Sequence, residues 1–277
     1  MQLAVSTLNQ LTEPIPIHEA VFNIAKTGIK LIEIRASIWA NPCHYSYHMP
    51  EQTKELEKAL KACAVKAVSF HPPIRCDLSA LDSKEKRKAV DEFKYAMNIA
   101  AGLGAKNVVV HPGTKIEDAD KYDRHRAQSM DSIVELFKYS REKGLALLLE
   151  NMVDGCLCSN VVKLSEFIKD IGEPGIKVCL DIGHANLKDE VTSGLKVLKD
   201  RLAQLHISDN NGVEDQHLPP GEGRIDWDLF RTVLKEIEFN GPLIYEGYGG
   251  LMGIEKFKSE MRKLERIKNE SEIGGLY

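Results

Sequence analysis

The chain has 277 residues, 43% of them hydrophobic and 28% charged, which is the makeup of a globular protein with a large core and excludes a disordered or fibrous one. Lys and Arg number 37 against 41 Asp and Glu, a net charge of −4; this gives no support to non-specific nucleic-acid binding, although it leaves room for a local basic groove. No apolar run approaches the length of a membrane span. The N-terminus, Met1-Gln-Leu-Ala-Val-Ser6, opens on a strand-like segment without a basic leader, so a cytoplasmic location is expected.

Short apolar runs alternate with longer amphipathic stretches from end to end. Strands are expected at 3–6, 31–34, 67–70, 107–110, 145–149, 177–180, 202–207 and 242–245. Helices are expected between them at 17–27, 51–64, 83–103, 120–143, 161–171, 190–199, 228–239 and 253–268. The helical assignments rest on apolar residues three and four apart, such as Ile133, Leu136 and Phe137. Gly28, Gly104, Gly144, Gly172 and Gly241 stand where helices should stop. Eight strand–helix units with no intervening linker predict an α/β fold, a closed (β/α)8 TIM barrel with parallel strands, forming one domain over 1–277. A doubly wound open sheet is the alternative, but no G-x-G-x-x-G follows the first strand.

The six cysteines, at 43, 63, 76, 156, 158 and 179, form no secreted disulfide framework. One residue separates Cys156 from Cys158, fewer than the two to four of common zinc modules. Cys63 and Cys179 fall in apolar patterns and read as core. Charged stretches such as 84–88 and 256–268 read as the solvated exterior of helices.

In a barrel of this kind the chemistry gathers at the C-terminal ends of the strands. The third strand ends at His71, the fourth at His111 and the fifth at Glu150-Asn151. The sixth ends at Asp181, with His184 just beyond, and the seventh carries His206. Its following loop holds Asp215 and His217, and the eighth strand ends at Glu246. Each has an ordinary structural alternative; Asp181, for example, could cap the next helix and His184 be a hydrogen-bonded loop residue. Six consecutive strands ending in His, His, Glu, Asp, His and Glu nonetheless converge on one mouth. Imidazoles and carboxylates without thiolates suit Zn²⁺, Mn²⁺, Fe²⁺ or Co²⁺ better than Ca²⁺ or Mg²⁺.

These motifs resemble the xylose-isomerase-like TIM-barrel superfamily, which holds the endonuclease IV family of abasic-site nucleases (AP endonuclease family 2) and the sugar isomerases and epimerases. The resemblance runs along the whole chain. Its most specific parts are Cys179-Leu-Asp-Ile-Gly-His184, the stretch from His206 to Gly223, and Tyr245-Glu246. Resemblance to endonuclease IV implies three metal groups: His71, His111 and Glu150; Glu150, Asp181, His206 and Glu246; and His184, Asp215 and His217. Resemblance to the isomerases and epimerases implies one divalent ion, zinc or manganese, on Glu150, Asp181, His206 and Glu246. In that reading His184 touches substrate, and Glu150 and Glu246 move protons at carbon next to a carbonyl. Which of the two roles His184 takes separates the two chemistries.

Other features weigh between them. The loop 37–50 is aromatic and carries no Lys or Arg, which makes it a poor phosphate track. Its Trp39, Tyr45 and Tyr47, with His44 and His48, could cover a sugar; the alternative is a surface loop folded on itself. Glu33 is a candidate sugar-hydroxyl partner, with a salt bridge to Arg35 as its alternative. His71 is a candidate substrate contact as well as a candidate ligand. Glu150-Asn-Met-Val-Asp154 and His206-Ile-Ser-Asp-Asn-Asn-Gly212 depart from the nuclease's patterns. Gly221-Glu-Gly223 reads as a tight turn, Asp226 as a helix N-cap, and Arg224 as no more than a weak candidate for substrate phosphate. The leading expectation is a metal-dependent isomerase or epimerase of a sugar, sugar phosphate or cyclitol. An abasic-site phosphodiesterase is second, with nucleic acid the less favoured partner. A regulatory metal-binding barrel is third, disfavoured because it leaves the paired carboxylates without a purpose.

Overall fold

The structure is a computed structural model that describes residues 2–10, 15–36 and 45–273. Eight parallel strands close into a barrel in sequence order, each hydrogen-bonded to the next and the eighth to the first. They are β1 (Gln2–Ser6), β2 (Leu31–Arg35), β3 (Lys66–His71) and β4 (Asn107–Val110), then β5 (Ala146–Glu150), β6 (Lys177–Asp181), β7 (Leu202–Ile207) and β8 (Pro242–Tyr245). Around them run α1 (Ile17–Lys26), α2 (Pro50–Cys63), α3 (Ser83–Gly102), α4 (Tyr122–Glu142) and α5 (Val161–Ile171). Past β6 come α6 (Ile182–Asn186), α7 (Val191–Leu198), α8 (Trp227–Glu236) and α9 (Gly250–Ile273). No helix among the described residues is long and apolar enough to cross a membrane.

Alternation along each strand places the chemistry. Val108 and Val110 join the large core between sheet and helices, whereas Val109 packs with Leu148 and Cys179 in a small separate cluster on the other face, inside the barrel. The same two-residue period carries Glu150, two beyond Leu148, and Asp181, two beyond Cys179, onto the interior face. Ile32 and Ile34 lie in the outer core, which turns Glu33 and Arg35 inward. Tyr245 lies in the outer core too, which turns Glu246 inward. The apolar outer faces of the strands thus turn the polar strand ends together inside.

The helices are fastened by their caps. Asp82 accepts from the backbone N–H groups of Lys84 and Glu85, Asn160 from Lys163, and Asp226 from Leu229, as expected. Two boundaries differ from expectation. The left-handed residue after α8 is Glu238, at φ 53°, and not Gly241. Gly241 is needed because a Cβ there would lie 2.5 Å from the carbonyl of Ala203. The segment after β6 also contains α6, five residues long and too short to carry a helical period.

Candidate metal centre at the barrel mouth

Glu150, Asp181, His206 and Glu246 each present one atom, all within 4.8 Å of one another, and none is more than 3% exposed. Nδ1 of His206 lies 2.9 Å from Glu150 Oε1, 2.7 Å from Glu246 Oε2 and 3.9 Å from Asp181 Oδ2. Asp181 divides its two oxygens between two tasks. Oδ1 accepts the backbone N–H of His184 at 2.8 Å and so caps α6; Oδ2 is buried with no hydrogen-bond partner. A buried carboxylate oxygen without a donor is costly, and three carboxylates around one imidazole leave negative charge uncompensated. Arg35 offsets the charge of Glu246 alone, so both features fit a divalent cation, and the donor set of oxygens and one nitrogen suits the zinc and manganese class.

Two further groups adjoin this cage. Glu150 turns its other oxygen toward His71 Nε2, at 3.3 Å, and His111 Nε2, at 3.0 Å; the three atoms of His71, His111 and Glu150 also lie within 4.8 Å of one another. On the rim, Asp215 Oδ2 sits 3.3 Å from His184 Nε2 and 3.2 Å from His217 Nε2. Three of these imidazoles are anchored alike. Nδ1 of His71 meets the carbonyl of Pro72 at 2.9 Å, that of His184 the carbonyl of Asn151 at 2.8 Å, and that of His217 the carbonyl of Glu246 at 2.6 Å. A carbonyl only accepts, so Nδ1 carries a proton, and Nε2, which faces the site, offers its lone pair whenever the ring is neutral, the arrangement found in metal-binding histidines.

The loops are held by side chains that bridge adjacent strand ends. Asn151 donates to the carbonyl of Asp181 and accepts its N–H, both at 2.8 Å, which locks the end of β5 to the end of β6. Asp209, fully buried, accepts from the backbone of Asn210, Gly221 and Ile225 and from Trp227 Nε1. It thereby shapes the loop that carries Asp215 and His217. Gly183 has no room for a side chain, since a Cβ would lie 2.4 Å from Ser208 Oγ.

Burial and neighbouring charges set the protonation of the metal-free site. Burial pushes the Glu150 carboxyl up, but His206 and His111 together hold it well below its ordinary value. Glu246 is likewise depressed, His206 and Arg35 overcoming its burial. Asp181 goes the other way: burial, with Glu150 and Glu246 nearby, raises it to about 6 against the pull of His184. Burial opposes the charged form of His206, yet the surrounding acidic groups raise it well above its ordinary value. His111 is pushed down to about 4, chiefly by burial.

Several expectations are corrected. Glu33 does not pair with Arg35 and does not reach the mouth. It is fully buried, and its Oε2 is taken by Ser69, Gln204 and His206. Arg35 instead donates to Glu246 Oε1 at 2.8 Å, a partner 211 residues away that no local pattern reveals. Tyr45 and Tyr47 are not a sugar platform. Both are buried in the core against Phe70, and the Tyr47 hydroxyl and His48 both meet Glu92. Arg224 pairs with Asp189 on the surface. Trp39 and His44 lie outside the described residues. Sequence reasoning places Asn151 and Asp209 at strand ends but missed their bridging roles; their only signal is a polar residue at or just past a buried strand end.

Comparison with known proteins accords with this geometry. Residues 21–267 match the model of the xylose isomerase-like TIM barrel family. A D-psicose 3-epimerase of Enterocloster bolteae is 27% identical over 76% of this chain and 71% of its own. A probable endonuclease 4 of Streptomyces avermitilis is 24% identical over 87% of this chain and 83% of its own. The crystal structure of a D-tagatose 3-epimerase-like protein superposes with a TM-score of 0.86 at 25% identity, covering 98% of this chain and 99% of that one. The chain therefore belongs to the xylose isomerase-like TIM barrel family, whose members named here are enzymes.

Proposed function

We propose that the protein is a divalent-metal-dependent epimerase or isomerase of a ketose, sugar phosphate or related polyol. The observation that carries this reading is the convergence of Glu150 and Glu246, from strands on different sides of the barrel, upon one buried cage completed by Asp181 and His206. When bound, the divalent ion would draw charge from a carbonyl and its neighbouring hydroxyl and so stabilise an enediolate. The chain's own residues do the rest. One glutamate accepts the proton from the carbon next to the carbonyl, and the other returns a proton to the opposite face of that carbon. The 3-epimerase relatives act, by their names, next to a ketose carbonyl, and the same carbon is the natural target here.

The two glutamates are prepared differently. Glu246 is held by the Arg35 guanidinium, which keeps it ionised and ready to accept. Glu150 lies between His206, His71 and His111, and His111, with Nε2 3.0 Å from its Oε2, can present an N–H to it. His184, fixed by the carbonyl of Asn151, would meet a substrate hydroxyl at the rim, and burial of the cage keeps bulk water from the enediolate.

A second reading, an abasic-site phosphodiesterase, is favoured by one specific observation. His71, His184 and His217 all carry the carbonyl-anchored Nδ1 that frees Nε2 for a metal, which would extend one ion to as many as three. The test is direct: the metal-loaded protein is incubated in D₂O with a panel of ketoses and their phosphates, and separately with abasic-site duplex. Carbon-bound deuterium without nicking is expected. Nicking without exchange would replace the first reading with the second.

A further inference from the structure

The cage histidine differs from its neighbours in what stands behind it. His71, His184 and His217 lean on backbone carbonyls. His206 leans on a buried carboxylate: its Nε2 lies 3.1 Å from Glu33 Oε2. That oxygen also receives Ser69 Oγ and Gln204 Nε2, each at 2.8 Å, and Gln204 is itself held by Asn107 Nδ2. Glu33 comes from β2, 173 residues from His206, and both are fully buried. Glu33 has no route to solvent and cannot meet a substrate.

We propose that Glu33 is a positioning residue that fixes His206 as the Nε2–H tautomer, turning its Nδ1 lone pair into the cage, and strengthens that nitrogen as a ligand for a divalent cation. The proposal rests on the metal reading of the cage given above. Its basis is donor–acceptor accounting. Oε2 receives Ser69 Oγ and Gln204 Nε2 and lies against His206 Nε2, while His206 Nδ1 is the ring nitrogen that faces Glu150 and Glu246 in the cage. A cation held on Nδ1 leaves the ring hydrogen on Nε2, the nitrogen that faces Glu33. Gln204 Nε2 also lies 3.2 Å from that nitrogen, so Glu33 is the acceptor available to it.

The energetic argument points the same way. Burying a carboxylate costs several kcal/mol unless its partners offset it, and the three partners are a hydroxyl, an amide and an imidazole, of which only the imidazole can carry charge. For packing alone, apolar residues at position 33 and at its partners would serve the fold better. An anion behind a ligating imidazole has a use when a metal is in front of it, because it raises the electron density on the coordinating nitrogen. Loss of such a partner weakens metal binding by about 10- to 100-fold in general. A carbonyl does this less strongly, which singles out His206 among the histidines of the mouth.

The experiment uses Co²⁺ alone as probe. The metal-free wild-type chain is titrated with Co²⁺ by calorimetry and visible absorption, beside Glu33→Gln and Glu33→Leu, and thermal unfolding of each metal-free protein is recorded. Expected are an affinity about 10- to 100-fold lower in Glu33→Gln, lower still in Glu33→Leu, and an altered cobalt band. The metal-free unfolding midpoint should change little in Glu33→Gln, whose amide oxygen can still accept, and should fall in Glu33→Leu, which leaves buried donors unpaired. Were Glu33 merely holding the barrel together, affinity and midpoint of Glu33→Gln would fall in parallel, and that outcome overturns the proposal. So does a Co²⁺ affinity of Glu33→Gln within about twofold of wild type. Nitrogen-15 spectra of histidine-labelled, zinc-loaded wild type give a readout that requires no variant: Nε2 of His206 must carry the proton, and a metal on Nε2 overturns the tautomer. Failure of the underlying reading looks different, since wild type would then bind no Co²⁺, or Glu246→Ala would bind it as well as wild type does.

Discussion

The inner cage and the rim triad are built from the same residue types, balanced in opposite ways. In the cage three carboxylates surround one imidazole, all of it buried, and one carboxylate oxygen has no donor. On the rim two imidazoles flank one carboxylate, with Asp215 a quarter exposed. There each of the two histidines already has a backbone partner. The cage is short of positive charge and cut off from the solvent that could supply it. The rim sets two imidazoles against one carboxylate, although Asp215 Oδ1 there, like Asp181 Oδ2 in the cage, is buried without a hydrogen-bond partner. The balance of charge thus favours a cation at the centre over one at the edge, which is why we read the mouth as holding a single central ion in spite of candidate ligands for three.

The largest expected effect is at the centre. Glu246→Ala removes both a ligand and a proton carrier and should lower carbon–deuterium exchange by about 10³-fold, with loss of the central ion by elemental analysis. Exchange that persists at wild-type rate would remove Glu246 from the chemistry. Next is Asp209→Ala, which leaves the N–H groups of Asn210, Gly221 and Ile225 and the indole of Trp227 without their acceptor. It should cost about 3 kcal/mol or more, measured by urea unfolding. Because Asp209 shapes the rim loop and not the cage, Co²⁺ affinity at the centre should change little. A smaller effect is expected for His217→Ala: the central ion stays, and exchange falls by less than about tenfold. A drop as large as that of Glu246→Ala would make rim and cage equal partners and favour the phosphodiesterase.

This division was only partly legible in the sequence. Barrel strands are buried on both faces and read as continuous apolar runs, so β4, β7 and β8 fall where the runs predict, and α5 follows from its period. The convergence of His71, His111, Glu150, Asp181, His206 and Glu246 follows from strand ends alone, because a closed parallel barrel brings all such ends to one mouth. What stayed hidden depends on distance across the barrel. Glu33 lies beside Arg35 in sequence, which suggested an ion pair, yet the strand period turns it down onto His206 while Arg35 reaches Glu246. Tyr45 and Tyr47 looked like a sugar platform because aromatic content does not reveal which way a loop folds; here Phe70 and Glu92 take them into the body of the protein. The helical turn Ile182–Asn186 is too short to show a period, yet it makes Asp181 the helix cap that its place before Gly183-His184 allows, so that one residue is cap and candidate ligand at once.

The smallest effect is also the one that most sharpens the question of the rim. His217 is raised to about 9: burial opposes its charge, but the hydrogen bond to Asp215 and the fields of Glu246 and Asp215 prevail. Asp215 is correspondingly depressed, with His184 and His217 outweighing its burial. Between the ordinary imidazole value of 6.5 and about 9 the folded metal-free protein therefore holds a proton on His217 that the unfolded chain has released. Stability must then fall as pH rises through that window, and the contribution is complete only below it. The thermal midpoint of metal-free protein should decline over the window, and His217→Gln should make the decline shallower, the remainder coming from His184 and His206, which are raised as well. Zinc decides what the triad is for. An ion on the rim would displace the same proton and bind more tightly as pH rises, so zinc in excess of one equivalent would reverse the slope in wild type but not in His217→Gln. If the slope persists under zinc, the rim is a protonated clasp that meets substrate; if it reverses, the mouth holds a second kind of metal site, and the hydrolytic reading gains what the cage alone does not give it.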